Sequence, residues 1–424
     1  MAGKLTNWAG NVTFAARRLH RPASVPQLQR LVARSARVRA LGAGHSFNYL
    51  ADTPGDLVSV AGLPRLVEVD AAGSAVTVSA GLTYAEVATA LQEAGRALPN
   101  LASLPHISVA GACATGTHGS GDAVGVLGTA VSAVEMVSAD GDLVTVSREA
   151  DPGWFPGAVV ALGALGIVTR LTLDTGPAFD IRQYVYEDLP AGHVIEHFDE
   201  IVSSGYSVSL FTDWRGPRIR QAWLKRRADD PDAGAAPGPR RIGGRPADGP
   251  RHPVPGLPAA NCTEQLGVPG PWHERLPHFR PEFIPSAGDE LQSEYLLPRA
   301  RATDALAALL AVAGRLAPVV RTSEIRTIAA DDLWLSPAYQ RDSAGFHFTW
   351  IKDWAAVAPA VALVEERLAP LQARPHWGKL FGTTPEAVRG LYPRLDDFRR
   401  LMYRHDPAGK FRNDLLDRYF PPIR

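Results

Sequence analysis

The sequence predicts an α+β fold, and three observations carry that expectation. Residues 57–79 hold three strand-like runs separated by turn residues. A helical pattern with a capping box follows at 83–94. After roughly residue 175 the texture changes: strands that alternate charged or polar with apolar residues are interleaved with helical patterns at 302–316 and 355–370. The length, 424 residues, suits two or three domains.

Composition narrows the function classes. Apolar residues make up 46% and charged residues 21%, as in an ordinary globular protein. Lys+Arg and Asp+Glu are both 44, so no basic field is available for nucleic acid or anionic lipid. The start, Met1-Ala-Gly-Lys-Leu-Thr-Asn-Trp, lacks a signal-peptide apolar core, and no apolar run is long enough to span a membrane. Cys113 and Cys262 are too few for a disulfide framework. These features lead us to expect a cytoplasmic protein. Without a heptad or a long exposed apolar stripe, the expected state is a monomer.

The elements follow in order. Leu28, Leu31 and Val32 have helical spacing, with Ser24 or Val25 near the cap. Residues 36–40 alternate as a short strand and run into Leu41-Gly42-Ala43-Gly44-His45-Ser46-Phe47-Asn48. The two glycines let this turn approach a ligand closely, with His45 at its tip. Strands are expected at 57–60, 66–69 and 75–79, then the helix with Thr83 and Glu86 as its capping box, ended by Gly95. Val131–Ser138 and Leu143–Ser147, joined through Asp140-Gly141, read as a hairpin. More strands are expected within 162–173, after a small-residue turn, and at 205–226, 321–328 and 346–351. Residues 229–258, dense in Pro, Gly, Asp and Arg, read as a surface excursion. Residues 385–424 read as helical, then irregular.

A second ligand-like stretch runs from Asn100 to Gly121. It is nearly uncharged and rich in Gly, Ser and Thr, so backbone N–H groups and hydroxyls are available for a diphosphate. The interleaved Ile107, Val109, Ala112 and Ala114 argue against a solvated linker.

Several familiar patterns fail. Gly44-His45-Ser46-Phe47-Asn48 misses the nucleophile elbow because Asn48 stands where its last glycine is needed. Neither the dinucleotide-binding nor the P-loop glycine pattern is present. His193-Val-Ile-Glu196-His197 matches a zinc-protease pattern, but in a polar helix beside Asp199 and Glu200 a solvated face is favoured. No metal is expected; a zinc hydrolase using His193, Glu196 and His197 is the minority alternative.

The C-terminal half holds a better constellation. Glu324 and Arg326 lie two apart on one strand face, as do His347 and Thr349, and His376 and Lys379 follow near a turn. Such a face is either solvated and ion-paired or a polar binding wall. Carboxylate, guanidinium, hydroxyl and ammonium together would suit a neutral polyol.

Gly42 to Asn48, Ala102-Ser103-Leu-Pro-His-Ile-Ser108-Val-Ala-Gly111, Thr115-Gly-Thr-His118-Gly-Ser-Gly, Asn261-Cys-Thr-Glu-Gln, Pro269 to Arg280 and Arg374-Pro-His-Trp-Gly-Lys379 together resemble the alditol (xylitol) oxidases. These are actinobacterial members of the vanillyl-alcohol-oxidase flavoprotein family. The resemblance runs nearly end to end and is weakest across roughly 229–250. It implies a two-part FAD-binding domain, residues 1–175 with 384–424 returning to it. Between them, at 176–383, it implies a substrate domain with an antiparallel sheet flanked by helices. It implies FAD joined covalently to His45 through the flavin 8α-methyl. Further FAD contacts are implied for Gly42, Ala43, Gly44, Ser46, Phe47, Asn48, Ser103, Ser108, Gly111, Thr115, Gly116, Thr117, His118, Val168 and His376. The implied substrate wall is Ser103, Glu324, Arg326, His347, Thr349 and Lys379, with Lys379, Arg326 and Glu324 as catalytic groups. The implied reaction oxidises a terminal CH₂OH of an alditol of the xylitol or sorbitol type to the aldose, with O₂ reduced to H₂O₂. An aldonolactone oxidoreductase or a polyol dehydrogenase on the same scaffold is the alternative.

Overall fold

The computed structural model describes residues 5–231, 238–283 and 288–423. The Met1-Ala-Gly-Lys end and residues 232–237 of the Pro/Gly/Arg-rich stretch, both read above from sequence, lie outside the described residues.

Ser24 caps α1 (Val25–Arg34) by accepting from the Gln27 N–H, and Leu28, Leu31 and Val32 form its buried face. Beside it β1 (Arg18–His20), β2 (Val38–Ala40) and β3 (Asp56–Val58) make a parallel sheet of order β1-β3-β2. The strand expected through Val60 stops at Val58, because Val60–Gly62 turns as a 3-10 helix. β4 (Val67–Val69), β5 (Ala75–Ser79), β6 (Val131–Val137), β7 (Leu143–Ser147) and β8 (Ile167–Asp174) form an antiparallel sheet of order β4-β5-β8-β6-β7. α2 (Tyr84–Glu93) has the Thr83/Glu86 capping box, and Gly95 follows it at φ +68°. α3 (Val109–Ala114) rises within the Gly/Ser/Thr stretch, where no helix was expected. Six small residues are too few to show a helical period.

A larger sheet is built from β9 (Asp180–Pro190), β10 (Ser207–Thr212), β11 (Arg218–Arg227), β12 (Leu291–Pro298), β13 (Val320–Ile328) and β14 (Ser343–Trp350). Its order is β9-β11-β10-β13-β14-β12, with Arg245–Pro246 and Arg374–Pro375 at the two ends of the row. One face carries Ile325, Phe346, Phe348, Tyr295 and Leu297. It buries them in one core with the helices Ala302–Leu310 and Trp354–Leu368. The helix expected at 302–316 breaks after Leu310 and resumes at Ala313. The opposite face carries Glu294, Glu324, Arg326, His347 and Thr349, with the apolar Phe211 and Trp223 beside them.

The chain end returns to the first core. Val388, Phe398, Leu401 and Leu416, from the helices Pro385–Leu391, Leu395–His405 and Asp414–Tyr419, pack in one cluster with Val76, Val87, Val134 and Leu171. Two buried polar clamps secure this return. Arg39 donates to the carbonyls of Leu162 at 2.8 Å, Gly163 at 3.0 Å and Phe411 at 2.8 Å, and also to Leu50. Asn413 donates to the carbonyls of Tyr49, Leu50 and Asp52 at 3.1, 2.9 and 2.9 Å.

Candidate active site

A cavity of about 560 Å³ is lined from both the N-terminal turn and the polar face of the large sheet. That volume is within the range of small-molecule and cofactor sites.

The N-terminal wall is the turn after β2. Gly44 has φ +72°, a conformation that other residues adopt only with strain. Gly42 is needed for closeness: a Cβ there would stand 2.4 Å from Ser108 Oγ. Ser108 is the N-cap residue of α3, and its Oγ accepts from the Ala43 N–H at 3.3 Å. The turn is also tied to the C-terminal half. Phe47 N–H donates to the Gly378 carbonyl at 2.8 Å, and Asn48 Nδ2 donates to the carbonyls of Trp377 and Lys379 at 2.8 and 2.9 Å. His45 stacks on Trp8, with ring centroids 4.4 Å apart and planes at 22°. Both of its ring nitrogens are buried without a hydrogen-bond partner among the described residues. Burial lowers its pKa to about 4, so the ring is neutral at pH 7.

The facing wall is set by strand register. Glu324 pairs with His347, and His347 pairs on its other side with Glu294, so one row crosses β13, β14 and β12 on the polar face. Arg326 lies two residues from Glu324, opposite Gly345. Glu294 Oε1 accepts from Arg326 Nη2 at 2.5 Å and lies 3.3 Å from His118 Nε2; Oε2 accepts from Lys379 Nζ at 2.7 Å. Burial pulls Glu294 upward, yet Lys379, Arg326 and His118 hold it well below the usual carboxylate range. Glu324 is likewise held low against burial by Arg326 and His278, and His278 Nε2 lies 2.8 Å from Glu324 Oε1. Burial keeps His347, lowered to about 3, and His376 neutral at pH 7. Arg326 also donates to Ser103 Oγ at 3.4 Å, joining the wall to the Asn100–Gly121 stretch.

Nearly every residue singled out from sequence meets at this cavity. Gly42 to Asn48, Ser103, Ser108, Gly111, Thr115, Thr117, His118, Val168, Glu324, Arg326, His347, Thr349, His376 and Lys379 all line it. Gly116 is not on the wall. It makes a turn at φ +68°, where a Cβ would strike Pro337. The polar face is buried rather than solvated, with Glu324 at 5% and Arg326 at 4% exposure. His193, Glu196 and His197 lie elsewhere, and the Glu196 side chain is 76% exposed. Among the described residues no group of three His, Cys, Asp or Glu could hold a metal.

Sequence reading missed Glu294, His278 and Lys225. Glu294 stands alone as a charge in Leu291-Gln-Ser-Glu-Tyr-Leu-Leu, and a single charge in an otherwise uncharged, strand-like run signals a buried pair. His278 lies inside the Pro269 to Arg280 motif, where no role was assigned to it.

Comparison with known proteins follows the same outline. Residues 16–147 match the FAD binding domain family, and residues 289–419 match the D-arabinono-1,4-lactone oxidase family. Over 428 residues the chain is 53% identical to the alditol oxidase of Streptomyces sp. (strain IKD472 / FERM P-14339), covering 98% of this chain and 100% of that one. The chain belongs to the alditol oxidase family. As a member of that family it is an FAD-dependent oxidoreductase of the vanillyl-alcohol-oxidase type. It is also 28% identical to the L-gulono-1,4-lactone dehydrogenase of Mycobacterium tuberculosis (strain ATCC 25618 / H37Rv), over 98% of this chain and 99% of that one. A solvent-stable cholesterol oxidase shares the fold at TM-score 0.79 and 17% identity, covering 98% and 97% of the two chains. The cavity fits FAD: the Gly42–Ser108 approach leaves bare backbone along its wall, and the unpartnered His45 ring stands in it. No helix among the described residues is long and apolar enough to cross a membrane.

Proposed function

We propose that this chain oxidises a terminal CH₂OH of an alditol, of the xylitol or sorbitol type, to the aldehyde, with O₂ reduced to H₂O₂. The observation that carries this reading is the charge balance of the sheet wall. Arg326 and Lys379 are matched by Glu294 and Glu324, and His347 and His376 are neutral. A wall without net charge that offers both donors and acceptors suits a neutral polyol better than an anion or a sterol.

FAD, when bound, supplies the two-electron acceptor. Gly42, Ala43, Gly44, Ser46, Phe47, Asn48, Ser103, Ser108, Gly111, Thr115, Thr117, His118, Val168 and His376 hold it, and Gly116 shapes the turn between two of them. His45 is its covalent anchor, through the flavin 8α-methyl. The neutral, unpartnered imidazole supports that assignment, since a ring nitrogen with a free lone pair is a nucleophile. Lys379 and Arg326 place positive charge beside the alkoxide that develops at the reacting carbon. Glu324 accepts from substrate hydroxyls, and Ser103, His347 and Thr349 complete the polyol wall. In this reading residues 1–175 and 384–424 hold the cofactor and 176–383 the substrate. The expected cytoplasmic, monomeric state is carried into it unchanged.

The match of residues 289–419 to a lactone oxidase favours a second reading, an aldonolactone oxidoreductase. One assay separates the two. The holoenzyme is given xylitol, sorbitol or an aldonolactone in air, and peroxide is measured. Alditol-dependent peroxide is expected. Lactone turnover without alditol turnover would replace this reading with the second, and dye reduction without peroxide would make the chain a dehydrogenase.

A further inference from the structure

We propose that Lys225 is a positioning residue: it fixes the ring tautomer of His278 and thereby holds Glu324 as a hydrogen-bond acceptor toward the substrate. The inference rests on the polyol reading above and extends it to residues outside the substrate wall.

Lys225 lies on β11 and is 1% exposed, and burial lowers its pKa to about 7; as an ammonium it has three protons to place. They are spent on the carbonyl of Leu276, on the carbonyl of Pro277 at 3.2 Å and on Nδ1 of His278 at 3.0 Å. A ring nitrogen that accepts from an ammonium must carry a lone pair. Glu324 is held ionised and can only accept, so with Lys225 charged both neighbours put the proton of the neutral imidazole on Nε2, the nitrogen 2.8 Å from Glu324 Oε1 and 3.4 Å from Ser209 Oγ. Aromatic rings pack against the imidazole. Phe211 and Trp223 stand edge-on to it, at centroid distances of 5.4 and 5.2 Å. Burial, with Lys225 beside it, lowers His278 to about 4 and so keeps it neutral. The result is a one-way row of donors, from Lys225 to His278 to Glu324, that ends at the cavity wall. Its other end is sealed: Lys225 is buried, so the row offers no route for a proton to solvent. It orients rather than transfers.

Two independent arms test this. In the first, nitrogen-15 histidine NMR of the holoenzyme reads the tautomer, with the His278 signals assigned by their loss in His278→Gln. A neutral ring protonated on Nε2 at about pH 6, where Lys225 is charged, is expected; an imidazolium or an Nδ1-protonated ring overturns the proposal. In the second, steady-state kinetics with xylitol compares His278→Gln, His278→Leu and Lys225→Met at matched FAD content and melting temperature. A glutamine amide can accept from Lys225 and donate to Glu324 without titrating, so His278→Gln is expected to stay within about threefold in KM and kcat. His278→Leu and Lys225→Met are expected to raise KM about tenfold, the worth of one charge-assisted hydrogen bond, with kcat changed less than KM. Glutamine as damaging as leucine, or an unchanged KM in Lys225→Met, overturns the proposal. Should Lys225→Met fail to fold, the glutamine–leucine pair and the NMR arm still decide. An unsubstituted protein that oxidises no alditol overturns the polyol reading, and the NMR arm then judges the tautomer alone.

Discussion

Lys379 Nζ donates to Glu294 Oε2 across 2.7 Å, and Glu294 Oε1 accepts from Arg326 across 2.5 Å. One buried carboxylate thus holds both cations of the sheet wall. Replacing it leaves the buried Lys379 ammonium without its carboxylate and Arg326 with Glu324 alone. Glu294→Gln is expected to lower unfolding free energy by about 3–5 kcal/mol, the usual cost of breaking a buried pair from one side. Urea unfolding of the holoenzyme reads this; an unchanged midpoint contradicts the role given to Glu294.

Lys379 is placed by a strand and a turn at once. Its ammonium is on Glu294, and its carbonyl accepts from Asn48 on the histidine turn. If it stabilises developing charge, Lys379→Ala should cut kcat by about 10²-fold or more and change KM much less. Steady-state kinetics with xylitol checks this, and a kcat near that of the unsubstituted enzyme removes the role.

Acid should weaken the fold from below about pH 6.5. His278 and His347 are lowered to about 4 and about 3, and His376 lies well below its ordinary value, with burial the leading cause for each. Histidines in an unfolded chain titrate near ~6.5. As pH falls through that value the unfolded state takes up protons that the folded state refuses, so stability drops until the folded values are reached. Above ~6.5 the contribution is flat. Glu294 and Glu324, held low, act in the same direction but only below ~4.3. Urea midpoints between pH 7.5 and 5 should fall with acid, less steeply in His278→Gln. A midpoint constant over that range would show that these rings protonate in the folded state.

The flavin should travel with His45. On an acid-denaturing gel the unsubstituted protein is expected to keep flavin fluorescence in its band, and His45→Ala to lose it. Fluorescence absent from both bands removes the covalent bond and leaves FAD as a dissociable cofactor.

Gly42 should tolerate no side chain while Ser108 is present. The 2.4 Å approach predicts that Gly42→Ala loses FAD. Removing the obstructing oxygen, in Gly42→Ala with Ser108→Ala, should recover part of it. Flavin absorbance per chain is the measurement, and a single substitution with full FAD content refutes the close-packing account.

The wall residues were legible where chemistry and period coincided. Glu324 and Arg326, two apart on a strand, announce a shared face, and the Thr83/Glu86 box announces a helix start. The glycine turn was visible because Gly42 and Gly44 have no substitute in its geometry. What stayed hidden depends on pairing across the chain. Nothing local shows that Glu294 will meet Lys379, 85 residues later. β9 and β12 escaped notice because Gln183, Ser293 and Glu294 are buried polar residues, which blur the alternation that marks a half-buried strand. α3 is too short and too small in its residues to declare a period.

The three carbonyls held by Asn413, with the Phe411 carbonyl held by Arg39, carry a consequence for synthesis. Leu50, one of those three, lines the cavity. A ribosome makes the histidine turn well before residues 411–413 that support it. While residues 411–413 are still inside the exit tunnel, the turn has no clamp on that side. The cavity wall at Leu50 is therefore clamped only once residues 411–413 have joined the fold.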